Sequence, residues 1–155
     1  MTEKHLTATE AQALAEAVAE AMWARDRAAQ ALGIRIDSVG PGRATLSMPV
    51  RGDMVNGHHI CHGGLIFALA DTAFAYACNA YNRNTVASGC NIDFTAPGKE
   101  GDTLQAEAVE RSLSGRTGVY DVTVRDSAGR TVALFRGKSY RIAGEVIAGL
   151  AAESA

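Results

Sequence analysis

Between Asn56 and Asp71 the chain reads NGHHICHGGLIFALAD. A lone carboxylate, three imidazoles, one thiol and two adjacent glycines share this short run. Asp71 falls in the middle of an apolar stretch, among Ala68, Leu69, Ala70, Ala73 and Phe74, with no basic residue within a helical turn. A buried carboxylate is costly unless it is paired or protonated. Two roles fit such a residue. It either reaches a donor on a neighbouring element and fixes packing, or it is a base or nucleophile whose pKa is tuned by burial. Gly63 and Gly64 open the same stretch. Each glycine weakens a helix by about 1 kcal/mol relative to alanine, so the pair makes sense where something must approach the backbone closely. The first N–H groups of a helix are unpaired and lie at its positive end, where they can hold a developing oxyanion. A Gly-Gly helix start alone is common; its combination with Asp71 points to acid–base chemistry.

Spacing limits how the two can cooperate. Asp71 lies eight residues after Gly63, or ~12 Å along a helix axis. One carbonyl group cannot touch both from a single chain. Two antiparallel copies of the helix would bring Gly63 of one towards Asp71 of the other, which predicts a site shared between subunits. His58, His59 and His62 invite comparison with a metal site, but no carboxylate or thiolate in a fitting frame completes it, apart from the adjacent Cys61. No metal and no cofactor are therefore expected. Asn56 and His62 are better suited to holding the loop and polarising a carbonyl. No Gly-x-Ser-x-Gly elbow, dinucleotide fingerprint or phosphate-binding loop is present.

The elements around this stretch follow from periodicity. Thr7 and Thr9 are candidate caps for an N-terminal helix running to about Leu32, with Leu14, Val18, Met22 and Ala28 as its apolar stripe, a loosely anchored start, and Gly33 as its stop. Two strands follow over residues 34–50, turning at Gly40-Pro41-Gly42. A polar loop reaches His62, and the apolar helix spans about Gly63 to Ala80. Four strand signals come next. Val86, Ser88, Cys90, Ile92 and Phe94 share a face in the first, which Ala96-Pro97-Gly98 ends. Leu104, Ala106 and Ala108 mark the second, and Tyr120, Val122 and Val124 the third. The last begins at Val132 and Leu134 and runs to about Ile142. Ser114-Gly115 and Ala128-Gly129 are the turns between them. The tail from Gly144 is expected to fray. A helix that is apolar nearly all round needs cover on every side, and about six strands on short turns must be mainly antiparallel. The expected fold is α+β: a curled antiparallel sheet around a long central helix, with an extra N-terminal helix. It forms one domain over residues 1–155, made of a helical extension (1–32), a core (34–143) and a tail (144–155). The sheet covers only part of the helix, so at least a dimer is expected.

Composition sets the outer limits. The 155 residues are 47% hydrophobic and 21% charged, with a net charge of -2, and the basic residues are scattered. No nucleic-acid partner is expected. Cys61, Cys78 and Cys90 are odd in number, follow no secretory leader and match no zinc spacing, which suits a reducing cytoplasmic setting. Residues Gly63 to Tyr81 imitate a membrane span, but Asp71 at their centre would cost about 2.5–3.5 kcal/mol there. No membrane association is expected.

The run Asn56-Gly57-x4-His62-Gly63-Gly64-x6-Asp71 resembles the signature of PaaI-type thioesterases, the phenylacetic-acid-degradation branch of the hot-dog superfamily. The resemblance continues through Leu69 to Asn79, Ile92-Asp93-Phe94, Gly101 to Leu104, Thr117 to Asp121 and Ala133 to Ser139, covering about residues 30–143. It implies the hot-dog fold and hydrolysis of aryl-acyl-CoA thioesters in the cytoplasm, phenylacetyl-CoA and its hydroxylated relatives first. It implies a homodimer or a homotetramer built from two such dimers, with acyl-CoA as substrate. By position, Asp71 would be the catalytic carboxylate and the Gly63 N–H would polarise the thioester carbonyl. Asn56 and His62 would orient loop and substrate, with Gly64 and Thr72 beside the substrate and its water. One residue departs from the pattern: Ala96 stands where relatives often carry Arg before the Pro-Gly turn, leaving Lys99 or another base to meet a CoA phosphate. The alternatives are a broader hot-dog acyl-CoA thioesterase, a hot-dog enoyl-CoA hydratase, which would use a catalytic His, and a non-catalytic acyl-CoA sensor, which would have no need of Asp71.

Overall fold

The computed structural model describes residues 5–150. The terminal parts of the expected extension and tail, residues 1–4 and 151–155, lie outside the described residues. Helix α1 spans Ala8–Trp23 and α2 Arg27–Ala31; strands β1 (Arg35–Gly40) and β2 (Arg43–Pro49) follow. The central helix α3 is Gly63–Asn79, and β3 (Thr85–Phe94), β4 (Thr103–Ser114), β5 (Thr117–Arg125) and β6 (Thr131–Arg141) complete the fold. The strands form one sheet in the order β1-β2-β4-β5-β6-β3, with every neighbouring pair antiparallel. This is the expected α+β arrangement: the sheet curls around α3, which packs against strands from both halves.

Alternation builds the concave face. Leu104, Ala106 and Ala108 on β4, with Tyr120, Val122 and Val124 on β5, are all buried against α3. Small residues leave room for large ones. Gly137 on β6 faces Phe74, whose ring would meet a Cβ there at 2.9 Å. Phe74 in turn lies 5.4 Å from the Tyr120 ring and 5.9 Å from that of Phe135. Each such buried aromatic contributes roughly 1.5–3 kcal/mol of transfer free energy.

Five expectations need correction. The N-terminal helix is not continuous to Leu32. Thr7 caps α1 in a reciprocal box with Glu10, while Thr9 lies inside the helix. The chain then breaks, and Asp26 caps α2 by accepting from the Ala29 N–H at 3.1 Å. The break resets the helical phase, so Ala29 is buried and Ala28 exposed. The start of α1 is anchored too: Ala11, Leu14 and Ala15 are buried, and Gln12 Nε2 donates to the Val39 carbonyl at 2.8 Å. In β3 a bulge between Ala87 and Gly89 breaks the alternation, and Val86 (45%) and Phe94 (53%) are exposed. In β6 Leu134 points away from the core, because Ala133 and Phe135 hold the inner face. Finally, the tail is fixed as far as Leu150. The buried Asn82 side chain accepts from Ile147 N–H at 2.8 Å and donates to the carbonyls of Ile147 and Leu150 at 3.1 and 2.9 Å.

Candidate functional site

The loop before α3 is a small self-bonded hairpin. Val55 bridges Cys61, and Asn56 N–H donates to the Ile60 carbonyl at 2.9 Å. Asn56 then organises its interior: its Oδ1 accepts from His58 N–H at 2.9 Å and Ile60 N–H at 3.4 Å. An Asn side chain that bonds nearby backbone in this way stabilises a turn without help from regular structure. His58 and His59 are exposed near the tip, with His59 in the left-handed region at φ 58°. The three histidines do not converge. Among the described residues no three His, Cys, Asp or Glu side chains are grouped as metal ligands would be.

His62 is the N-cap of α3. Its Nδ1 accepts from the Gly64 N–H at 2.9 Å. That bond fixes the imidazole at the mouth of the helix and occupies the Gly64 donor, so Gly64 offers no free N–H here. The next residues are satisfied as well, since Leu65 and Ile66 N–H donate to the His62 carbonyl. The Gly63 N–H, by contrast, has no acceptor among the described residues. Gly63 lines a cleft of about 610 Å³ together with Asn56, Ile60, Ile66, Phe94 and Ala96. The Phe94 ring closes over Gly63: a Cβ on residue 63 would sit 3.1 Å from Phe94 Cζ. A glycine is needed here for close approach, and the approaching group is an aromatic ring.

Asp71 lies two turns further along α3 and does not line that cleft. It is half-buried, on the face that also presents Gly64, Ala68, Thr72 and Ala75, which the sheet leaves uncovered. No hydrogen bond or ion pair reaches its carboxylate among the described residues. The donor on a neighbouring element that a purely structural Asp would have is missing among the described residues of the protomer. Burial holds its pKa above the usual carboxylate value. Thr72 beside it donates its hydroxyl to the Ala68 carbonyl at 2.6 Å, leaving the oxygen lone pairs to accept.

The cysteines are poor nucleophiles. Burial pushes all three thiols up, Cys78 to about 12, and the Asp71 carboxylate adds to the rise at Cys78 and Cys90. They are thiols, not thiolates, at neutral pH. The site therefore has two separated halves on one protomer: a donor-bearing cleft containing Gly63 and Asn56, and an unpaired carboxylate with Thr72. The Phe94–Gly98 wall of the cleft was not among the expected site residues. Its traces in sequence are the aromatic Phe94 before the Ala96-Pro97-Gly98 break and the departure from the family pattern at Ala96.

Residues 58–133 match the Thioesterase superfamily. The acyl-coenzyme A thioesterase PaaI of Escherichia coli (strain K12) is 53% identical over 128 residues, which is 83% of this chain and 91% of that protein. The solved structure of the E. coli PaaI protein from the phenylacetic acid degradation operon superposes with a TM-score of 0.86 at 51% identity, covering 86% of this chain and 97% of that one. A mutant of the phenylacetic acid degradation protein PaaI from Thermus thermophilus gives a TM-score of 0.73 at 40% identity, over 76% of this chain and all of that one (100%).

Proposed function

Because the chain belongs to the thioesterase superfamily and, within it, to the PaaI group of acyl-CoA thioesterases, we propose that it hydrolyses aryl-acyl-CoA thioesters to free acid and CoA. Phenylacetyl-CoA and its ring-hydroxylated relatives are the expected substrates, in phenylacetate catabolism. The observation that carries the reading is the free Gly63 N–H at the start of α3, on the wall of an apolar cleft. A thioester carbonyl placed there meets a donor at the positive end of a helix dipole, where charge develops in the transition state.

Asp71 supplies the other half of the chemistry. As a general base it takes a proton from water while the water oxygen bonds to the carbonyl carbon. The carbon–sulfur bond then breaks, and the CoA thiolate leaves with the proton returned from Asp71. As a nucleophile it would instead form an anhydride, which water opens. Single-turnover hydrolysis in oxygen-18 water distinguishes the two, because only the anhydride route labels the enzyme carboxylate. Asn56 fixes the loop that shapes the cleft, and His62 fixes the helix start. Thr72 has a free acceptor for the water. Gly64, its N–H held by His62, serves by leaving the substrate side of the helix bare.

Gly63 and Asp71 are ~12 Å apart on one helix axis, so a complete site takes Gly63 of the partner subunit. Two features support that assembly. The uncovered face of α3 is made of small residues around Asp71, and β3 is an edge strand carrying the exposed Val86 and Phe94. Two copies that pair β3 with β3 and lay α3 antiparallel to α3 cover both. The assembly is a homodimer, with a homotetramer formed from two of them. No described helix is long and apolar enough to cross a membrane, and a cytoplasmic setting suits the free thiols. The whole chain serves as one thioesterase domain.

Thiol release from a panel of acyl-CoAs, measured for wild type and Asp71→Ala, tests the proposal. Steady turnover of phenylacetyl-CoA that is lost in the variant supports it. Binding without thiol release, or release that survives the substitution, sinks it.

A further inference from the structure

Three arginines from separate elements line one small pocket at the far end of α3. Arg83 lies in the α3–β3 loop, Arg116 in the β4–β5 turn and Arg141 at the end of β6. Backbone bonds hold them together: Arg141 N–H donates to the Arg116 carbonyl at 2.8 Å, Arg141 is paired with Thr85, and the Thr85 hydroxyl donates to the Arg83 carbonyl at 2.8 Å. Among the described residues none of the three guanidinium groups has an ion-pair partner. Among the described residues the buried Arg83 Nε has no hydrogen-bond partner either. Glu110, a carboxylate near the pocket residue Tyr120, accepts from the phenols of Tyr120 at 2.7 Å and Tyr81 at 3.0 Å rather than from an arginine.

Three cationic residues lining one pocket, with no ion-pair partner among the described residues, leave positive charge there that an anion can complete. The enclosed space behind them is about 20 Å³, room for one water and not for an oxyanion. An anion must therefore sit at the mouth, where Arg116 is exposed and Arg83 and Arg141 are half-buried. Guanidinium groups suit phosphate there, since their planar forks donate two bonds at once.

Position decides which phosphate. Cys78 forms part of the pocket wall and lies seven residues after Asp71, two turns along the same helix face or ~10.5 Å. The pantetheine arm that separates a CoA thioester from its nucleotide phosphates is longer than that. We infer that Arg83, Arg116 and Arg141 form the anchor for the phosphate groups of the CoA nucleotide, taking the part left open by Ala96. This rests on the acyl-CoA reading of the Asp71 site.

Titration calorimetry of the full chain with CoA and with pantetheine, which lacks every phosphate, tests the assignment in wild type, Arg116→Gln and Arg141→Gln. CoA binds more tightly than pantetheine in the wild type, and each substitution removes on the order of tenfold of that advantage. Arg116→Lys restores part of it. A CoA-to-pantetheine ratio that is unchanged in both variants overturns the inference, because an arginine with only a structural role would weaken both ligands alike. The readout is separate from turnover. A chain that binds CoA through these arginines yet releases no thiol overturns the hydrolase reading and leaves this one standing.

Discussion

The Phe94 ring rests on Gly63 so closely that a methyl group on residue 63 would stand 3.1 Å from its Cζ atom. A glycine that the packing favours thus coincides with the one donor at the start of α3 that has no partner among the described residues. Gly63→Ala keeps the N–H but must push the ring aside. Phe94 is half exposed and can yield, so thermal unfolding should change by less than about 1 kcal/mol. Thiol-release kcat/KM should nevertheless fall about tenfold or more, because the added methyl and the displaced ring crowd the carbonyl away from that donor. The double variant with Phe94→Ala should recover part of the loss in kcat.

In the proposed role Asp71 serves chemistry at a cost to stability. Its folded-state pKa is raised by burial with no partner to offset it. The folded protein therefore binds the Asp71 proton more tightly than the unfolded chain does. The stability this residue contributes is full below the ordinary aspartate pKa and is lost as pH rises through the higher folded value. Asp71→Asn should accordingly raise the melting temperature by a few degrees at pH 7, with ~1 kcal/mol corresponding to several degrees, and the gain should vanish in acid. Turnover should fall by about 100-fold or more. The acid limb of the wild-type kcat/KM profile should lie above the usual aspartate range.

Sharing of the site between subunits is checked by mixing. Chains carrying Asp71→Asn, co-refolded with chains carrying Gly63→Val, should regain thiol release, because one site of each mixed dimer then has both intact halves. A mixture no more active than the two parents combined contradicts the shared site.

The N-terminal helices are docked through Asp26. One of its carboxylate oxygens caps α2 at 3.1 Å and the other accepts from the Tyr76 hydroxyl of α3 at 3.2 Å. Tyr76→Phe should cost about 1 kcal/mol and Asp26→Ala about 2 kcal/mol in denaturant unfolding, as one and two bonds are lost.

Asn82 holds the C-terminal segment while itself adopting φ 59°. Asn82→Gly keeps the backbone conformation and removes the three side-chain bonds. It should leave the global melt within about 2 kcal/mol of wild type and expose the chain after Gly144 to limited proteolysis. Asn82→Ala should be worse than Gly, because it adds left-handed strain.

The central elements were legible because their signals are local and periodic. Leu104, Ala106, Ala108 and Tyr120, Val122, Val124 alternate without interruption and are all buried. The separation of Gly63 from Asp71, ~12 Å for their eight-residue gap, follows from helix geometry alone. What escaped depended on single irregular residues or on distant partners. One extra residue in the β3 bulge turned Val86 outward. Asp26 restarted a helix that propensity would have continued. Asn82 reaches Ile147 and Leu150 across 65 and 68 positions, and no window of sequence connects them. At the candidate site, His62 was expected to hold the loop and polarise a carbonyl; how it holds the helix start, with Nδ1 accepting from the Gly64 N–H, was not legible. That outcome turns on a side-chain rotamer.

The open edge of β3 gives the chain a history before it has a function. A free edge strand bearing Val86 and Phe94 is a template for any other extended chain. If the proposed pairing completes the site, a protomer that has not yet met a second copy is inert and at risk of clumping. Output from a given number of chains should then drop steeply on dilution, and variants that weaken pairing should be recovered as precipitate more often than as idle monomers.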